Sequence, residues 1–175
     1  DSGNHIRGKS VYLDDIPEIK GTLHAAIFGS PVAHGRVLKL DVSKAEALPG
    51  VERVFTYKDI PGVNEIGGIV ADEPLFASDL VHFNGQAVAL VVACNEATAR
   101  KAVRLIEMIA EPLEVITDPR VAKEKGELLI PPRTFRMGDI ARAWEKCDYV
   151  YEGRVDSGAQ EHLYIETQGA YALPA

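Results

Sequence analysis

The chain has 175 residues, 46% of them hydrophobic and 26% charged, enough for one domain with a real core or for one domain and the opening of a second. Its net charge of -7 and pI near 5.2 argue against a nucleic-acid or anionic-membrane surface, because phosphate binding needs clustered Lys and Arg. The opening DSGNHIRGKS lacks an apolar signal core, and no stretch approaches membrane-spanning length, so a cytoplasmic protein is expected.

Thr22 to Phe28 reads as a strand closed by the turn signal Gly29-Ser30-Pro31. Arg36 to Val42 alternates polar and apolar residues at period two, the pattern of a half-buried strand. Ser43 is the expected N-cap of a short helix over KAEAL that Pro49-Gly50 ends, and Val51 to Tyr57 gives another strand. Lys58 to Ser78, with Pro61, Pro74 and Gly67-Gly68, has the length of an Ω-type or interaction loop.

Asn84-Gly85, between VHF and QAV, predicts a type I′ hairpin whose second arm, Ala87 to Ala93, is apolar enough to be a central strand buried on both faces. Val88, Leu90 and Val92 are its expected core residues. Asn95 is the expected N-cap of a helix with apolar residues at Ala99, Ala102, Val103, Ile106, Ile109 and Ala110. Pro112 should stop that helix before a short strand over Leu113 to Ile116. A second helix begins near Asp139, carrying Ile140, Ala143, Trp144 and Cys147, and Tyr149 to Val155 alternates as a last strand. Short helices interrupting a mixed sheet make the expected fold class α+β. The chain begins without Met and ends on the strand-like run Tyr171 to Ala175, which suggests a piece of something longer.

Chemistry-bearing motifs are sparse. No glycine-rich loop lies between a strand and a helix, so a nucleotide site is not expected. The two cysteines, Cys94 and Cys147, have no ligand spacing and read as reduced, buried thiols. Asp14-Asp15 reads as a solvated turn ahead of Ile16-Pro17. The five histidines show no H-x-x-H or H-x-x-x-H spacing. One cluster stands out, Gln160-Glu161-His162-Leu163-Tyr164-Ile165-Glu166-Thr167-Gln168. In a helical turn Glu161, His162 and Glu166 would share a face, as a metal or acid/base site or as a buried polar network locking a domain junction. Spacing favours the network, because a two-residue His/Glu set arises often by chance.

Several stretches, in order, resemble the large molybdenum-cofactor-binding subunit of the xanthine dehydrogenase/aldehyde oxidase family. Ser10 to Pro17 (SVYLDDIP) is similar to the family's A-x-Y-x-D-D-I-P, and Ser30 to Val37 (SPVAHGRV) to its S-x-x-A-H-A-x-I. Leu48-Pro49-Gly50-Val51, Lys58 to Asn64, and Asp72 to Ala77 running into Gly85 to Ala93 follow the same plan. Gly158 to Gln168 is close to G-G-Q-E-H-x-Y-x-E-T-Q, with Ala159 in place of the second glycine. A second departure is Ala110 to Ile116, AEPLEVI where many members read Y-E-P-L-P-A-V. The D-D-I-P opening and the Q-E-H-x-Y-x-E-T closing lie nearest the xanthine dehydrogenase branch.

The resemblance implies an α/β-hammerhead domain over residues 1–155 and, over 156–175, the start of or junction with the molybdopterin-binding domain. It implies a parent hydroxylase that oxidises a purine or aldehyde, with molybdopterin, FAD and 2Fe-2S clusters supplied by downstream domains and partner domains or subunits. No catalytic, cofactor-binding or metal residue is assigned within these 175 residues. Gln160, Glu161, His162 and Glu166 are the expected domain-junction residues. Two other readings stay open: a stand-alone binding or scaffold domain reusing the hammerhead fold, and a small metal-dependent hydrolase centred on Glu161, His162 and Glu166.

Overall fold

The computed structural model describes residues 2–164, 166 and 168–174. In chain order the elements are α1 (Ser2–Ile6), a 3-10 turn at Leu13–Asp15, β1 (His24–Gly29), β2 (Gly35–Asp41), α2 (Ser43–Glu46) and β3 (Val51–Thr56). A second 3-10 turn (Tyr57–Asp59) follows, then β4 (Leu80–Val81), β5 (Ala87–Ala93), α3 (Glu96–Val103), β6 (Glu107–Pro112), α4 (Pro119–Lys125) and α5 (Ile140–Trp144). The chain divides into two compact units, one of Asp1–Pro17 with Leu128–Ala175 and one of Glu18–Glu127.

The unit Glu18–Glu127 contains all the strands among the described residues. The α+β class holds, but the expected single mixed sheet does not. There are two three-stranded sheets, β1-β5-β3 and β4-β2-β6, and every pairing is antiparallel. β5 is central, as its β-branched sequence demands, with Val91 opposite Ala26 on one side and Val54 on the other. Its two faces are not equally covered. Val88, Ala89, Val91 and Ala93 are fully buried, whereas Leu90 and Val92, two of the three expected core residues, are only half-buried. Side chains alternate along the strand, so residues 89, 91 and 93 share one face. Ala89 and Val91 pack with Ala45, Val54, Ala102 and Ile106, and Val88 joins a separate cluster with Ala77 and Val81. Phe28 touches both clusters.

The expected Asn-Gly hairpin does not form. β4 pairs with β2 and β5 pairs with β1 and β3, so the turn carries the chain from one sheet to the other. Gln86 N–H donates to the Phe83 carbonyl at 3.2 Å, and only Gly85 has positive φ (+85°), which fits a type II turn and excludes type I′. Glycine is required opposite as well, since a Cβ on Gly29 would stand 2.8 Å from the Gly85 carbonyl oxygen.

α3 starts where expected, the Asn95 side chain accepting the Thr98 N–H at 2.8 Å, but it ends at Val103. Residues 107–112 then pair with β2, and the expected strand over Leu113 to Ile116 has no regular structure. The sequence EMIAEP fits both periods: Met108 and Ala110 are half-buried in the strand, while Ile109 turns out to solvent. Pairing with the free side of β2 outweighs continuing the helix, and Pro112 is tolerated because β6 is an edge. At α2 the N-cap position is Val42, not Ser43, and Asp41 one residue earlier supplies the side-chain acceptor. Asp41 Oδ1 accepts the Ser43 N–H at 3.1 Å and its hydroxyl at 2.6 Å. α4 was not anticipated, although it follows a standard punctuation: Asp118 accepts the Arg120 N–H at 2.8 Å, Pro119 opens the helix, and Gly126 closes it at φ +76°.

In the other unit α5 is capped as expected, Asp139 accepting the Arg142 N–H at 3.0 Å. The expected strand over Tyr149 to Val155 is irregular and exposed, because no strand in this unit, among the described residues, offers an edge to pair with. Both cysteines are exposed, contrary to the buried reading. Cys94 follows the last buried residue of β5, and Cys147 hangs from the uncovered end of α5 with its Sγ 3.3 Å from the Ala143 carbonyl.

Candidate functional site

The stretch from Gln160 to Gln168 contains no helix among its described residues, so the anticipated shared face of Glu161, His162 and Glu166 does not form. Glu161 folds its carboxylate back on its own backbone, Oε1 accepting the His162 N–H at 2.9 Å and the Leu163 N–H at 3.4 Å. That local bend coincides with φ +52° at Leu163, a left-handed conformation that costs a bulky residue about 1–2 kcal/mol. The His162 ring lies over Tyr164, with centroids 5.7 Å apart. Gln160, Glu161 and His162 are exposed.

Glu166 turns elsewhere and is half-buried. Its Oε2 accepts the Leu13 N–H at 3.0 Å and its Oε1 the Asp14 N–H at 3.3 Å. The four residues therefore do separate things: Glu161 and His162 make an exposed local bend, Gln160 is simply exposed, and Glu166 holds the N-terminal segment. Among the described residues no three His, Cys, Asp or Glu side chains come together as metal ligands, and no helix is long and apolar enough to cross a membrane. The hydrolase reading needs Glu161, His162 and Glu166 to converge, and they do not.

In the unit Glu18–Glu127 the motif residues build loops. The 58–78 segment is braced by its own side chains: Asn64 exchanges two hydrogen bonds with the Phe76 backbone (2.7 and 3.0 Å), and Glu65 Oε1 accepts the N–H groups of Gly67 (2.9 Å) and Glu73 (2.7 Å). It thereby presents Val63 and a fully exposed Ile69 to solvent. Ser30 and Gln86 are the buried polar residues that sequence reasoning missed. Ser30 N–H donates to the Gln86 carbonyl at 2.8 Å, and Gln86 Oε1 accepts the His82 N–H at 2.7 Å, so the pair stitches two turns together. A polar residue beside the Gly29 and Gly85 turns was the available signal. His34 places Nδ1 2.6 Å from the Glu114 carbonyl and stacks on His82 at 6.0 Å.

The carboxylates held below the usual range are structural. Asp41 is lowered first by the Ser43 hydroxyl and then by Lys39; Asp59 is lowered by the Thr56 N–H and Arg53; Asp118 is lowered by Arg120. Each starts a helix or closes a turn, and none lies in the Gln160–Gln168 stretch.

Two family descriptions match the chain: "Aldehyde oxidase and xanthine dehydrogenase, a/b hammerhead domain" over residues 7–114, and "Molybdopterin cofactor-binding domain" over residues 121–175. Among curated proteins, xanthine dehydrogenase of Calliphora vicina is 36% identical over 170 residues, covering 95% of this chain and 13% of its own length. Aldehyde oxidase 1 of Bos taurus is 33% identical over 172 residues, covering 97% of this chain and 13% of its own. Among solved structures, CO dehydrogenase from Oligotropha carboxidovorans superimposes with a TM-score of 0.62 at 35% identity, over 69% of this chain and 15% of that one. Quinoline 2-oxidoreductase from Pseudomonas putida 86 does so at 0.58 and 34%, over 70% and 16%. The chain thus spans about one eighth of the curated relatives it matches. With the hammerhead description matching more than half of its residues, this chain belongs to the aldehyde oxidase and xanthine dehydrogenase family of molybdenum hydroxylases.

Proposed function

We propose that this chain is a structural, non-catalytic segment of a xanthine dehydrogenase-like molybdenum hydroxylase that oxidatively hydroxylates a purine or an aldehyde. The observation that carries the reading is the collinear match of both descriptions, hammerhead then molybdopterin-binding, within one 175-residue chain. The D-D-I-P and Q-E-H-x-Y-x-E-T stretches favour the xanthine dehydrogenase branch over the aldehyde oxidases. In the parent enzyme molybdopterin, FAD and 2Fe-2S clusters would be held by further domains or subunits, and the whole would be cytoplasmic.

The residues present do not by themselves fit a molybdopterin. Gln160, Glu161 and His162 are exposed, and Glu161 is occupied by its own backbone. They fit a surface that further protein covers, and with Glu166 they are the proposed domain junction. The cofactor, where bound, supplies a molybdenum centre that delivers water-derived oxygen to carbon. This chain's part is to shape and brace the domain around it.

The test is to assay the full-length parent against purines and aldehydes, with molybdenum content measured alongside. Turnover of a purine with stoichiometric molybdenum is expected. A molybdenum-replete parent that oxidises aldehydes but no purine would move the chain to the other branch, and one that turns over neither would sink the proposal.

A further inference from the structure

The two motif stretches farthest apart in the chain, Ser10 to Pro17 and Gly158 to Gln168, meet in the structure. A single carboxylate, that of Glu166, accepts two consecutive amides, Leu13 at 3.0 Å and Asp14 at 3.3 Å, across 153 and 152 residues of sequence. These amides open the 3-10 turn Leu13–Asp15, where N–H groups lack intrahelical partners and point outward together. The preceding amide, that of Tyr12, is taken by Asp15 Oδ2 at 3.0 Å. A few residues on, Gly169 sits so close to Leu13 that a Cβ there would stand 2.5 Å from Leu13 Cδ2. Leu13 is half-buried on a chain segment that is otherwise mostly exposed.

We infer that the N-terminal residues through Pro17 are a strap belonging to the molybdopterin cofactor-binding domain, with Glu166 as the latch that holds it. The hammerhead description begins at residue 7 and assigns this segment to the hammerhead. The contacts assign it otherwise: Asp1–Pro17 groups with Leu128–Ala175, and Glu18–Glu127 forms its own unit. The hammerhead is then a chain insertion between the strap and the rest of the cofactor domain. Such an insertion leaves its host domain whole when the segments before and after it are held together, as Leu13 and Asp14 are held to Glu166. A carboxylate on paired N–H groups is suited to the tie, because a charge-assisted hydrogen bond is roughly twice as strong as a neutral one. The strap's own Asp15 closes the turn locally on the Tyr12 N–H and does not provide the long-range link.

Hydrogen exchange on the intact 175-residue chain, read by mass spectrometry at peptide or residue level, tests this without reference to the parent's activity. Glu166→Ala is expected to speed exchange at Leu13 and Asp14 by about tenfold. Peptides from 128–164 should loosen with them, and the strands between His24 and Pro112 should stay unchanged. Glu166→Gln keeps the shape and one acceptor oxygen without the charge, so a smaller acceleration at the same two amides is expected. It also decides the matter should the alanine variant lose its fold. Unchanged exchange at Leu13 and Asp14 in both variants would overturn the latch. Equal acceleration in β1 to β6 would return the segment to the hammerhead.

Discussion

Val91 and Val92 are neighbours of the same residue type on β5, yet they face different surroundings. Val91 is fully buried against Val54, Ala102 and Ile106, whereas Val92, opposite Ala25 and Arg53, is only half-buried. Threonine matches valine in shape, so Val→Thr isolates the cost of burying a hydroxyl. At position 91 that hydroxyl meets only apolar side chains, and an unsatisfied buried polar group costs about 1–3 kcal/mol. Taking about 2 kcal/mol, exchange of the β5 amides should speed roughly thirtyfold, since about 1.4 kcal/mol is a factor of ten. At position 92 water reaches the hydroxyl and threonine suits a strand, so the change should stay within about 0.5 kcal/mol. Hydrogen exchange at Ala87–Ala93 is the right assay. The single tryptophan, Trp144, lies in the other compact unit, and fluorescence would report on that unit instead. Equal effects at the two positions, or a larger one at Val92, would refute the facing of β5 and with it the description of the core.

Asn95→Ala removes the acceptor of the Thr98 N–H and should cost about 1 kcal/mol in thermal or urea melts, with Asn95→Asp recovering most of it. Asp41 is depressed in the folded state, so its contribution is whole above the ordinary carboxylate range and is lost as pH falls below it. Asp41→Asn should therefore lower the melting temperature most at pH 7 and by progressively less as the pH falls through and well below the ordinary carboxylate range, and an effect of undiminished size throughout acid would refute the assignment. His162→Ala, at an exposed ring, should alter the stability of this chain by less than about 0.5 kcal/mol. In the full-length parent the same change should reduce molybdenum retention; normal metal content with lost turnover would instead place His162 in the chemistry.

Local signals settled what depends on neighbours in sequence. The strand at 35–41 follows from alternation, those at 24–29 and 51–56 from strand-like runs beside the turn signals Gly29-Ser30-Pro31 and Pro49-Gly50, and the starts of α3 and α5 from Asn95 and Asp139 as caps. The ordered motif stretches, together, were enough to place the chain in its family. The tertiary structure decided what depends on partners far along the chain. EMIAEP is equally apolar at helical and strand spacing, and only the unpaired side of β2 makes it a strand. Asn84-Gly85 marks a turn, but which sheets its arms join depends on β1 and β2 competing for them. Leu90 and Val91 are alike in sequence, and packing alone tells which is covered. Glu166 looked like a member of a polar cluster with Glu161 and His162. Its partners are backbone amides 152 and 153 residues away, and no local spacing carries that information because peptide N–H groups are the same at every position.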